Sequence, residues 1–180
     1  MRFFCPVDCR EFIMRGKFMI NNKQESENFD NSYLRMKKPL RCPFLCCCRP
    51  KFEIEFLNPE KKYEKIGQIN FECSLCDPIF VIQKETNQKL YYIEAECCQM
   101  GLMCRNNIIG KTEEAHFYIY NYYDRKKNIG DICKQSCSSH SISDNFSVKF
   151  PNDASSKEKL LIMLTAIMID YQYFEKNTLD

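Results

Sequence analysis

The chain has 180 residues, and its 26 Lys and Arg nearly balance its 24 Asp and Glu, for a formal charge of +2. So even a balance provides no field for nucleic acid, and the length fits one domain, residues 1–180, large enough to enclose a single helix. Only five Gly weaken any phosphate-loop reading, while 13 Cys, 14 Phe and 10 Tyr set the composition apart.

Taken in order, the opening Met1-Arg-Phe-Phe-Cys-Pro-Val-Asp8 lacks the continuous apolar core of a secretory signal. An odd cysteine count without a leader is expected on the reducing, cytosolic side, with thiols and not a disulfide framework. Phe12–Phe18 reads as a first strand. The Asn- and Glu-rich stretch 21–33 reads as a loop, and residues 37–50, with three Pro and Cys42, Cys46, Cys47 and Cys48, as an exposed irregular segment. Lys51–Phe56 alternates cleanly, which predicts a strand with Phe52, Ile54 and Phe56 inward. Further strands are predicted at Ile66–Cys73, Ile79–Gln83, Leu90–Ala95, Phe117–Tyr122, Ile129–Cys133 and Phe146–Phe150, with turns at Thr86–Gln88 and Asp124–Asn128. Short strands at this spacing predict an antiparallel meander closed as a barrel or sandwich.

The pattern then changes. Ser155 and Glu158 stand in the Ser-x-x-Glu spacing of a capping box, which predicts a helix over about 156–175. Its apolar run comprises Leu160, Leu161, Ile162, Met163, Leu164, Ile167, Met168 and Ile169, with Asp170 following. No polar face interrupts the run, so protein or lipid must surround it. From Leu160 to Phe174 a helix covers roughly 22 Å, whereas a hydrocarbon core is ~30 Å thick. A carboxylate within a span costs roughly 2.5–3.5 kcal/mol. Length and Asp170 together favour a helix enclosed by protein over one that spans.

The order of motifs resembles the phospholipid scramblase family. The resemblance is carried by Pro39-Leu-Arg-Cys42, the run Cys46-Cys-Cys48, the strand Phe52–Phe56, Ile66-Gly67, the Cys73 and Cys76 segment, Ile129–Lys134, Asp144–Asp153 and Ile169–Glu175, over about residues 4–175. It implies a Tubby-like fold: a closed antiparallel barrel threaded by the C-terminal helix, here expected to be incomplete at its N-terminal side. It also implies palmitoylation of a cysteine cluster, a calcium site before the helix, and ATP-independent, bidirectional movement of phospholipids between leaflets. Family members have been described as single-pass through this same helix, so both placements of it stay open. The family's proline-rich N-terminal extension is not matched, Ile142 stands where the family carries its first calcium-site Asp, and Lys134–Ser139 retains little of the basic stretch of some members.

Cys42, Cys46, Cys47 and Cys48, flanked by Lys37, Lys38, Arg41 and Arg49, suit acylation beside anionic lipid heads, where two chains anchor and one does not. Attachment is expected at the cytoplasmic face of the plasma membrane. The calcium site that the resemblance implies would fall to Asp144, Asn145 and Asp153, a sparse set for an ion that takes six to eight oxygens. The residues themselves favour a strand face at Phe146, Val148 and Phe150, with Asp153 equally placed to cap the helix. Zinc is not expected: Cys73-x-x-Cys76 has ligand spacing, but Cys97, Cys98, Cys104, Cys133 and Cys137 provide no clean second pair. His116, beside Phe117, reads as packing and His140 as solvated, so no catalytic set is expected and the chain is read as no enzyme. One short helix lines no lipid path, so transport would need a homo-oligomer or local bilayer perturbation. The other reading is a palmitoylated module that binds lipid or protein without transport.

Overall fold

The computed structural model describes residues 12–16, 34–38, 51–72, 77–95, 114–135 and 145–174. The strands among them are β1 (Phe12–Gly16), β2 (Leu34–Lys38), β3 (Lys51–Leu57), β4 (Tyr63–Glu72), β5 (Ile79–Lys84), β6 (Lys89–Glu94), β7 (Ala115–Asn121), β8 (Asn128–Gln135) and β9 (Asn145–Lys149). Helix α1 (Ser156–Ile169) follows and runs directly into a π-helical turn, Asp170–Phe174. The strands form one antiparallel sheet in chain order, each paired with the strand before and after it.

Alternation decides which side of the sheet faces the core. Phe52 and Ile54 in β3 and Ala115, Phe117 and Ile119 in β7 are buried, and they join residues of β2, β4, β5, β6, β8 and α1 in one apolar cluster. Phe56, expected inward, is 38% exposed because it lies near the end of β3, opposite Leu34 and Glu64. No element is predicted for residues 34–36, and Lys37 and Lys38 are expected in the irregular segment; together they form β2. Leu34 and Met36 are its inward pair, an alternation too short to stand out beside Arg35, Lys37 and Lys38.

The mainly-β architecture with one C-terminal helix agrees with expectation, but the closed barrel does not. A barrel closes only when its first and last strands exchange hydrogen bonds. Here β1 pairs with β2 and β9 with β8, and no pairing joins β9 to β1 among the described residues. The sheet bends far enough for central β4 and β5 and edge β9 all to touch α1.

Gly67 lets the sheet approach the helix closely. A Cβ there would lie 2.7 Å from Leu161 Cδ1 and 2.6 Å from the Gln83 carbonyl oxygen. Backbone and helix side chain leave it no room. Gly67→Ala is therefore expected to cost about 1–3 kcal/mol, seen as a lower midpoint in urea unfolding with an unchanged slope; a midpoint equal to wild type would show that Leu161 does not rest on this glycine.

Candidate functional site

The helix begins where expected. The Ser155 amide donates to Glu158 Oε2 at 3.0 Å and the Glu158 amide to Ser155 Oγ at 3.4 Å, so the two residues satisfy each other's orphan donors. Glu158 also meets Lys84 of β5 at 3.3 Å and accepts from the Tyr91 hydroxyl of β6 at 3.1 Å. One carboxylate thus fixes the start of the helix to two strands. Burial alone would raise the Glu158 carboxyl, but the Ser155 amide, Lys84 and Tyr91 outweigh it and hold it below its ordinary value. Burial, reinforced by Glu158, pushes the Tyr91 phenol upward.

Leu161, Ile162, Leu164, Thr165, Ala166, Met168 and Ile169 are buried against the sheet. The buried Thr165 hydroxyl donates to the Leu161 carbonyl at 2.8 Å, which removes its cost in an apolar site. Enclosure is nevertheless incomplete. Met163, Ile167 and Tyr171 are 48%, 47% and 41% exposed, and their spacing of four aligns them in one apolar stripe on the outer side of the helix. The helix is therefore core on one side and open on the other. Its sequence, apolar all round, could not reveal this division.

Asp170 caps the last α-helical turn, where a carboxylate opposes the helix dipole, and Lys134 of β8 compensates at 3.2 Å. Beyond it Tyr173 contacts the rings of Phe80 and Phe117 at centroid distances of 6.2 and 6.4 Å, which ties the π-helical turn to β5 and β7. Among the described residues no helix is long and apolar enough to cross a membrane, a statement that leaves crossing by strands untouched.

The other expected site residues are distributed differently. Cys42, Cys46, Cys47 and Cys48 lie outside the described residues, as do Cys73, Cys76, Cys97, Cys98, Cys104 and Cys137. Of the calcium candidates, Asp144 also lies outside them, while Asn145 opens β9 and exposed Asp153 sits in the turn before α1, at the other end of that strand. The structure also assembles a group that sequence reasoning passed over. On the outer face of the sheet His116 stands opposite Cys133, with Glu114 and Asp131 beside it.

The described residues define a mainly-β architecture, an open antiparallel sheet bent over one apolar helix that keeps an exposed stripe. The chain belongs to the scramblase family, whose model matches residues 22–176, from before β2 to past the π-helical turn. It is 25% identical over 147 residues to phospholipid scramblase 4 of Homo sapiens, covering 80% of this chain and 42% of that protein. Phospholipid scramblase 1 of Mus musculus is 24% identical over 156 residues, 83% of this chain and 43% of that protein. Phospholipid scramblase 2 of Homo sapiens is 24% identical over 155 residues, 84% of this chain and 48% of that protein. The chain thus spans less than half the length of these relatives. No solved structure matches it.

The Glu158 arrangement predicts a pH dependence. Its folded carboxyl titrates below the ordinary 4.5, so its stabilisation is fully present above that pH and is lost as acidification protonates the folded group. Thermal unfolding of wild type and Glu158→Gln should differ most near neutrality and converge in acid. A difference that does not shrink on acidification would assign the effect to something other than the charge.

Proposed function

We propose that the chain is a phospholipid scramblase-like protein that rests on a membrane and moves phospholipids between leaflets in both directions without ATP. The observation that carries this reading is the apolar stripe Met163, Ile167 and Tyr171, exposed on a helix inside the region matched by the family model. Exposed apolar side chains aligned along a helix suit contact with acyl chains at the interface, where a helix lies in the membrane plane without spanning. Lys157 and Lys159, exposed at the start of the same helix, favour anionic lipid heads.

Attachment is assigned to acylation of Cys42, Cys46, Cys47 and Cys48 at the cytoplasmic face of the plasma membrane. A calcium link through Asp144, Asn145 and Asp153 belongs to the same proposal. Because a single α1 cannot line a path for a lipid head, transfer would proceed in a homo-oligomer, or by thinning of the bilayer beside the inserted stripe.

Purified chain reconstituted into vesicles with fluorescent phospholipid in both leaflets tests transport. Loss of leaflet protection faster than in protein-free vesicles, without ATP, is expected. Vesicle binding with no flip at any calcium level would overturn transport and leave a membrane-binding module.

The stripe is tested separately by flotation with anionic vesicles. Burying half of a large apolar side chain is worth about 1 kcal/mol, so Met163→Asp with Ile167→Asp should weaken binding at least roughly tenfold while preserving the far-ultraviolet circular dichroism. Undiminished binding by the folded double variant would remove α1 from the membrane contact.

A further inference from the structure

Strands β7 and β8 form a hairpin whose register changes once. Tyr120 pairs with Asn128, but Ile119 pairs with Gly130, so Ile129 is an extra residue on β8. Without that bulge His116 would face Ile132, and Cys133 would fall opposite Ala115, a core-facing residue. With it, His116 faces Cys133 on the outer side of the sheet. Gly130 makes the displacement feasible, because a Cβ there would lie 2.5 Å from the Lys149 carbonyl oxygen of β9.

Three ligand-type atoms converge as a result. His116 Nε2 lies 3.4 Å from Glu114 Oε2 and 3.8 Å from Cys133 Sγ, and Sγ lies 3.5 Å from the same Glu114 oxygen. A tetrahedral zinc with bonds of about 2.0–2.3 Å holds its ligand atoms about 3.3–3.6 Å apart. The triangle therefore has the size of one face of that tetrahedron, with only the nitrogen–sulfur edge slightly long. On the other side of the ring, Nδ1 lies 3.0 Å from Asp131 Oδ2. A carboxylate on Nδ1 favours the tautomer with the proton there and the lone pair on Nε2, the outer-shell arrangement of many zinc histidines. The second oxygen of that carboxylate, Asp131 Oδ1, is buried and has no hydrogen-bond partner.

We propose that Glu114, His116 and Cys133 form a binding site for zinc or a similar divalent transition metal, oriented by Asp131. Thiolate and imidazole select such ions over calcium, which would find one carboxylate here in place of the several oxygens it takes. On binding, the Cys133 proton leaves to solvent and the sulfur–metal bond takes its place. Three protein ligands leave a fourth position for water, and the partial exposure of His116 and Glu114 gives it access to solvent. The site would link β7 to β8 beyond their backbone ladder.

A thiol, imidazole and carboxylate in this order also suggest a nucleophile and its base. The surroundings argue against that use. Burial pushes the Cys133 thiol up to about 12, and the Glu114 carboxylate that accepts its S–H adds to the shift. A nucleophilic cysteine needs the opposite environment, one that favours thiolate without a metal. These groups differ from the Cys73 and Cys76 pair, and the signal is absent from linear spacing because it arises from register across a hairpin.

Titration of the full chain with cobalt(II), which reports tetrahedral thiolate ligation by its visible and charge-transfer bands, tests the site. Wild type should show these bands, and zinc should displace them. They should vanish in Cys133→Ser, fall sharply in Glu114→Gln, and survive Cys73→Ser with Cys76→Ser. Asp131→Asn should keep the band shape but weaken affinity about 10–100-fold. Glu114 is more than half exposed, so its variant reports on the site even if Cys133→Ser does not fold. Absence of the bands in wild type, or bands that Glu114→Gln leaves unchanged, would overturn the proposal.

Discussion

The structure depends on the contact between α1 and the inner face of the sheet at Gly67. Leu161 lies against that glycine so closely that a methyl group could not be added. Around it the inward residues of β2 to β8 and the buried side of the helix form one cluster, so among the described residues the helix joins the apolar face of the sheet in a common core. The ends of the element are held by different means. Glu158 ties its first turn to Lys84 and Tyr91, and past its last turn Tyr173 packs its ring against both Phe80 and Phe117. Both ends are thereby fixed to β5, one of the strands that the helix packs on.

An open sheet gives this helix two environments. A closed barrel would bury it on all sides and a membrane span would immerse it on all sides, whereas here Met163, Ile167 and Tyr171 remain outside. Removing Leu161 and Ile162 from the sheet to make a span would expose the inner faces of β4 and β5. Asp170 would also have to leave Lys134, and a carboxylate in hydrocarbon is costly. Contact with a bilayer through the exposed stripe needs neither change. The proposed contact with lipid through one side of the helix thus leaves the fold intact.

Local patterns were legible in the sequence, and non-local ones were not. Alternation in Lys51–Phe56 and the Ser155/Glu158 spacing directly located β3 and the start of α1, because both signals lie within a few residues. β2 was missed because two inward residues among three cations give no clear period. Closure of the sheet depends on whether its first and last strands meet, which no local pattern encodes. The facing of His116 and Cys133 depends on one bulge at Ile129, and a shift of one residue there would have sent Cys133 to the core side. Uniform apolarity of the helix likewise concealed which of its residues face outward.

Native-state hydrogen exchange of the purified chain, free of lipid and detergent, addresses the seat of the helix most directly. If α1 is the core of the sheet, the amides from Leu161 to Ile169 should exchange only through global unfolding, with the same protection as β4, β5 and β7. Helix amides that exchange freely while those strands stay protected, or that gain protection only when bilayers are added, would contradict the account.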